Sequence, residues 1–212
     1  MRDWNSILFC GSFDGETDLI QKVRGLNVYN VGIGFHDSLY NLQRFLLKNP
    51  DRYKSIVFLG SAGSYDQNVF QIGDIVYSYK FLNKDIAEIK NFAKVPDVIT
   101  KHIISIPDNV SLSMVQKLQY KEAITNSMNY VTLIDLTKEE KLEHLFDVGV
   151  ENMEAFSIAY IANRLSLSFI AIYFITNIVG TQGSIDWAGN WRAGSNRLQG
   201  QIIEYMNKKS KK

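Results

Sequence analysis

Three almost unbroken apolar runs constrain the fold most: SILFC at 6–10, SIVFLG at 55–60 and LSFIAIYFIT at 167–176. A strand with one wet face alternates polar and apolar residues. A strand that is apolar at nearly every position must be covered on both faces. Between these runs lie segments with helical spacing. In HDSLYNLQRFLLK (36–48), Leu39, Leu42, Phe45 and Leu46 share a face, and Pro50 follows. TKEEKLEHLF (137–146) opens with Thr137 and places Glu140 three residues on, the signature of a capping box. Residues 153–165 read as a buried helix and 192–207 as the last helix. NVYNVGIG (27–34), IGDIVYSYKFL (72–82) and NYVTLIDL (129–136) read as further strands. GSAGS (60–64) reads as a turn and 177–188 as a loop. Residues 83–125 carry two of the three prolines and short β-like runs such as HIISI, and resist assignment. Strands alternating with helices predict an α/β fold, a sheet with helices on both faces.

The 212 residues suffice for one domain with a substantial core, expected over 1–207, with KKSKK at 208–212 as a solvated basic tail. Lys and Arg total 23 against 22 Asp and Glu. That balance provides no general field for nucleic acid or an anionic membrane. The single cysteine, Cys10, cannot form an intrachain disulfide and reads as a core thiol. The apolar stretch near the N-terminus is too short for a signal peptide, and no run approaches ~18 apolar residues. A soluble cytoplasmic protein is expected. His36, His102 and His144 have no metal-ligand spacing, so neither metal nor cofactor is called for. His36, which opens a helix beside GIG, is either a structural residue or a substrate contact.

Ligands of open α/β sheets bind at the carboxyl ends of strands. The exits here are GSFDGE (11–16), GIGFH (32–36), GSAGSY (60–65), VENME (150–154) and TNIVGTQG (176–183). GSAGSY lacks the Gly-Lys-Ser/Thr of a P-loop, and GIGFH lacks the third glycine of a dinucleotide fingerprint. Glu154 begins an otherwise apolar helix. It is either a cap stabilised by the helix dipole or an acceptor for a ribose diol, with Met153 as an adaptable wall. Asn177 is either a turn former or an amide matching the N–H and C=O edge of an oxopurine. Glu16 is either an exposed loop acid or a general base on water.

The ordered set G-S-A-G (60–63), I-G-D-I-V (72–76), V-E-N-M-E-A (150–155) and Thr176–Asn177 resembles the purine nucleoside phosphorylase and methylthioadenosine nucleosidase superfamily, over roughly residues 6–200. V-E-N-M-E, I-T-N-I-V-G and Trp187 look most like futalosine hydrolase, which removes hypoxanthine from futalosine in menaquinone biosynthesis. The resemblance implies a three-layer α/β/α fold around a central mixed twisted sheet, no metal, and a homo-oligomer, with a dimer favoured. It assigns Met153 and Glu154, with Asn152 beside them, to the ribose, and Asn177 to a 6-oxopurine. Ser61 and Gly63 fall near water or sugar, Glu16 matches the acid that activates water, and Tyr130 or Val131 falls against the base.

Phosphorylases of this kind hold phosphate with arginines in the first loop and just before the Gly-Ser turn. Here the first loop is GSFDGET and the residue two before Gly60 is Phe58. A desolvated phosphate needs cationic partners, so water is favoured as nucleophile, with a phosphorylase as the alternative. The usual arginine four residues before Asn177 is Tyr173, which raises a third reading, a nucleoside-binding protein with impaired catalysis.

Overall fold

The computed structural model describes residues 4–210. Eight strands join one sheet: β1 (Ile7–Gly11), β2 (Asn27–Asn30), β3 (Ser55–Ser64), β4 (Ile75–Leu82), β5 (His102–Ile104), β6 (Lys121–Asn126), β7 (Val148–Glu151) and β8 (Ser168–Ile178). Their order is β2-β1-β3-β7-β6-β4-β5, with β8 against both β3 and β4. β8 runs parallel to β3 and antiparallel to β4, so the sheet is mixed. β7 meets β3 only at Gly63 and Ser64, which curls one half of the sheet into a closed ring through β8, β4 and β6.

The helices are α1 (Asp14–Thr17), α2 (Gly34–Leu47), α3 (Ile86–Ile89), α4 (Asn109–Lys117), α5 (Lys138–His144), α6 (Ala155–Arg164) and α7 (Gly183–Ser210). Successive strand residues feed two cores on opposite faces. Leu8, Cys10, Ile56 and Phe58 join Leu42 of α2 and Ile158 of α6. Ile7, Phe9, Val57 and Leu59 join Met114 of α4 and Leu198 and Ile202 of α7. This three-layer burial is why the strand runs carry no polar alternation. α5 begins with the predicted capping box between Thr137 and Glu140.

Several expectations need correction. GSAGS is no turn: β3 continues through it to Ser64, because β8 pairs with it along its whole length. Residues 129–136 form no strand. The backbone N–H of Thr132 donates to the Glu151 carboxylate at 3.0 Å, so a side chain takes what a ladder would have used. The expected loop at 177–188 is helical from Gly183, and α7 therefore begins nine residues before the expected start at Arg192. The unassigned stretch contains α3, β5, α4 and β6. α7 takes in Lys208 and Lys209, whereas 211–212 lie outside the described residues.

Candidate active site

One cavity, of about 400 Å³, opens where β1, β3, β7 and β8 end. Glu16 of α1 and Ser61 and Gly63 of β3 line it on one side. Asn152, Met153 and Glu154, between β7 and α6, line another, and Asn177 of β8 and Val131 complete it. The structure thus brings together eight of the nine residues expected from sequence. Tyr130 is the exception: its hydroxyl accepts the Ile86 N–H at 3.0 Å and it does not line the cavity. A larger groove at the ends of α4 and α7, with Lys117, Gln201 and Lys208, shares no lining residue with this cavity.

The VENMEAF junction shows how two jobs are divided. The Glu154 side chain makes no capping bond although it occupies the N-cap of α6. Asn152 caps instead: its Oδ1 accepts the N–H groups of Glu154 and Ala155, each at 2.9 Å. Its Nδ2 donates to the Ser61 carbonyl at 3.1 Å and to Glu154 Oε2 at 3.0 Å. Both ends of the Asn152 amide are therefore occupied, and it holds Glu154 in place. Glu154 Oε1 accepts the Gly34 N–H at 2.8 Å, at the positive end of the 14-residue helix α2. Behind it Ser157 and Ser38 are joined by a 2.5 Å hydrogen bond between α6 and α2.

Glu16 is buried at 5% exposure, which removes the reading of it as a solvated loop acid. Its Oε2 accepts the Ser12 N–H at 2.7 Å and its Oε1 the Ser61 N–H at 3.2 Å. Burial first, and then the nearby Glu154 charge, push its carboxyl up to about 8. Burial also raises Glu154, against the opposing bonds from Gly34, Asn152 and Ser12. A third acid, Glu151, lines the cavity and was not expected there. It accepts from the Thr132 N–H and hydroxyl and from the Tyr65 hydroxyl, and so pins the 129–136 segment over the site. Burial raises its carboxyl too. Among the described residues, no Lys, Arg or His lines this cavity. His36 is exposed and bonded to Asn129.

Asn177 owes its placement to a bulge. Ala62 pairs with Ile175 but Gly63 with Asn177, so Thr176 is an extra residue on β8. The Thr176 hydroxyl donates to Asn177 Oδ1 at 2.8 Å, and Asn177 Nδ2 donates to the Ile178 carbonyl at 3.2 Å. One amide hydrogen and one lone pair of Oδ1 remain for a ligand. Gly63 lies beneath this amide: a Cβ there would stand 2.7 Å from Asn177 Nδ2. Aromatic rings wall the mouth. Trp187 stacks on Trp191 with centroids 5.8 Å apart, Phe13 meets Trp191 edge-on, and Trp187 Nε1 donates to Ser61 Oγ at 3.0 Å.

Phe58 and Tyr173, at the two positions where the resemblance expects arginine, pack against each other with centroids 6.3 Å apart. Tyr173 is fully buried and accepts a 3.3 Å hydrogen bond from the Thr125 hydroxyl. Neither residue lines the cavity.

A family model described as the phosphorylase superfamily matches residues 30–205. The chain belongs to the phosphorylase superfamily. A search of curated proteins finds no significant match. Among solved structures, this phosphorylase-superfamily chain is similar to a 5'-methylthioadenosine/S-adenosylhomocysteine nucleosidase from Neisseria meningitidis. The two share 14% identity, with 97% of this chain and 99% of that one covered and a TM-score of 0.78. The corresponding Helicobacter pylori nucleosidase gives 13% identity, 97% and 99% coverage and a TM-score of 0.77. The futalosine hydrolase of Helicobacter pylori gives 12%, 98%, 100% and 0.77. At these identities the likeness is one of fold.

Ser12, Glu151 and Thr132 had escaped the sequence reading. Ser12 directly follows β1, four residues before Glu16, and Glu151 directly precedes Asn152, so their adjacency to exit residues was the available signal.

Proposed function

We propose that this chain cleaves the N-glycosidic bond of a 6-oxopurine nucleoside, with water as the nucleophile. The observation that carries the reading is the shared cavity of Glu154, Asn177 and Glu16, with no cationic side chain among the described residues lining it. Glu154 accepts hydrogen bonds from the ribose diol and lies near the positive charge that develops as the glycosidic bond stretches. Asn177 offers its remaining donor and acceptor to the departing base, and as an amide it cannot protonate adenine. Glu16 takes a proton from water as the water oxygen bonds to the anomeric carbon. The bonding pair leaves with the purine. Met153 and Val131 supply apolar walls.

Three buried carboxylates and no cation make the cavity hostile to a phosphate dianion, which weighs against phosphorolysis. The neighbours' names, nucleosidase and futalosine hydrolase, agree with hydrolysis. Futalosine, and with it a place in menaquinone biosynthesis, is the specific substrate this reading favours. A second copy of the chain is the expected partner, in a dimer in the cytoplasm. No described helix is long and apolar enough to cross a membrane.

Incubation of the pure protein with inosine or futalosine, with and without phosphate, tests the reading. Free hypoxanthine and an unphosphorylated sugar are expected in both arms. A sugar 1-phosphate that appears only with phosphate would establish the phosphorylase alternative. Tyr173 supports a second reading, a nucleoside-binding protein without turnover, since a cation usual at that position is missing. Tight nucleoside binding with no base release in either arm would establish that one.

A further inference from the structure

One face of α7 grips the turn that carries Glu16. Arg192, Ser195 and Gln199 follow one another at i, i+3 and i+7, the spacing that aligns side chains on one side of a helix. Leu198 and Ile202 anchor the same stretch of helix in the core. Gln199 is fully buried, yet it does not line the cavity. Both lone pairs and both hydrogens of its amide are occupied. Its Oε1 accepts the N–H groups of Leu19 and Ile20 at 2.8 and 3.1 Å. Its Nε2 donates to Asp18 Oδ1 at 3.3 Å and to Ser195 Oγ at 2.9 Å. The Ser195 hydroxyl passes the contact on, donating to the Gly15 carbonyl at 2.7 Å. Bonds from one amide therefore bracket residue 16 on both sides.

The turn depends on such bonds. α1 is four residues long and has no side-chain cap at its N-terminus. A helix that short has no stability of its own. On its far side the Thr17 hydroxyl donates to Asn30 of β2 at 2.7 Å. Arg192 adds bonds to the Gly15 carbonyl at 3.0 Å and to Asp18 at 2.7 Å, but its side chain is half exposed, where an ion pair contributes little. The buried amide is the stronger hold, because its loss would strand the Leu19 and Ile20 N–H groups away from water. Glu16 in turn meets the cavity wall through two backbone donors, the N–H groups of Ser12 and Ser61. Its carboxylate keeps both only while the α1 turn stays where α7 puts it.

We propose that Gln199, working through Ser195, is a positioning residue that seats the α1 turn and so aims the Glu16 carboxylate into the cavity. The use of Glu16 on water rests on the nucleosidase reading, but the seating does not.

Gln199→Met keeps the length of the side chain and removes all its hydrogen bonds. The first measurement is amide hydrogen exchange by NMR and needs no substrate. The Ser12 and Ser61 N–H groups should exchange about tenfold faster or more, and by a larger factor than the amides of Ile170 and Ile172 in β8, which report global opening. Ser195→Ala removes a single hydroxyl and decides the matter even where Gln199→Met does not fold. It should show the same pattern at a smaller factor, and Ser195→Thr should reverse it. An acceleration no larger than that of β8 in either variant would overturn the proposal. The second measurement is base release from inosine or futalosine. Gln199→Met should lower kcat by about 10²-fold and leave KM within about threefold, since the groups that grip the substrate are untouched. In a Glu16→Gln background the same change should cost less than about twofold, and an equal loss in both backgrounds would overturn the proposal as well. A wild type that releases no base would refute the nucleosidase reading, while the exchange measurement still decides whether Gln199 seats Glu16.

Discussion

Gly63→Ala is the sharpest probe of how the site is built. The new methyl would stand 2.7 Å from Asn177 Nδ2 and 2.9 Å from Val179 Cγ2. Ordinary contact begins near 3.4 Å, so the amide must retreat by about 0.7 Å. It has little freedom to do so. The Thr176 hydroxyl and the Ile178 carbonyl hold its two ends, and a Cβ at Gly183 would also lie only 3.1 Å from Nδ2. Misplacement approaching 1 Å costs about 10²-fold in rate. Overpacking of this size costs about 1–3 kcal/mol of stability. We therefore expect kcat/KM for base release to fall by roughly two orders of magnitude, with a modest loss in Tm. Gly200→Ala is the control. It sits in α7 with open space around its Cβ position and should gain about 0.5–1 kcal/mol with unchanged kinetics. Gly63→Ala activity within threefold of wild type, with Asn177 still in its original place, would refute the argument that glycine at 63 is what seats the amide.

Glu154→Gln should lower turnover at least ~100-fold, as for other losses of one preorganised group, while the Asn152 cap keeps α6 folded; near-normal turnover would remove Glu154 from the chemistry. Asn177→Asp should raise the rate on adenosine relative to inosine, and an unchanged ratio would show that residue 177 does not read the base. The pH dependence has two opposed parts. Glu16 is an acid raised in the fold from an ordinary 4.5 to about 8, so the unfolded chain loses the proton first. Its stabilising contribution is complete below about pH 4.5 and is lost as pH climbs to about 8, while kcat/KM rises over the same range as the base form accumulates. Urea titrations at several pH values should show stability falling with pH and a flatter dependence in Glu16→Gln; stability that rises with pH would contradict the sign.

The strand exits and the capping-box helix were legible because each depends on local chemistry: buried runs, a polar residue ending them, a Thr–Glu pair. What was not legible depends on partners distant in sequence. Gly and Ser at 60–64 carry no strand signal, and β3 continues there because β8 offers a ladder. The β-branched residues at 129–136 suggested a strand, but Glu151 captured the Thr132 backbone. The early part of α7 falls where a loop was expected, and its contacts are distant in sequence: Trp187 donates to Ser61 of β3 and Asn190 to the Thr176 carbonyl of β8. Asn152 looked like a ligand contact beside two acids, and only the bonds of its amide show that it caps a helix and steers Glu154. Tyr130 was one position away from a lining residue and turns its hydroxyl to α3.

The interlocked rings of Phe58 and Tyr173 bear on how readily such a chain could change its co-substrate. An arginine at either place would have to extend its guanidinium through a close-packed aromatic contact, and where it fell short it would be a desolvated charge amid hydrocarbon. If water is the nucleophile, as proposed above, recruiting inorganic phosphate would demand rebuilding a stretch of interior together with the pocket floor, and a single substitution at either of these sites would not achieve it.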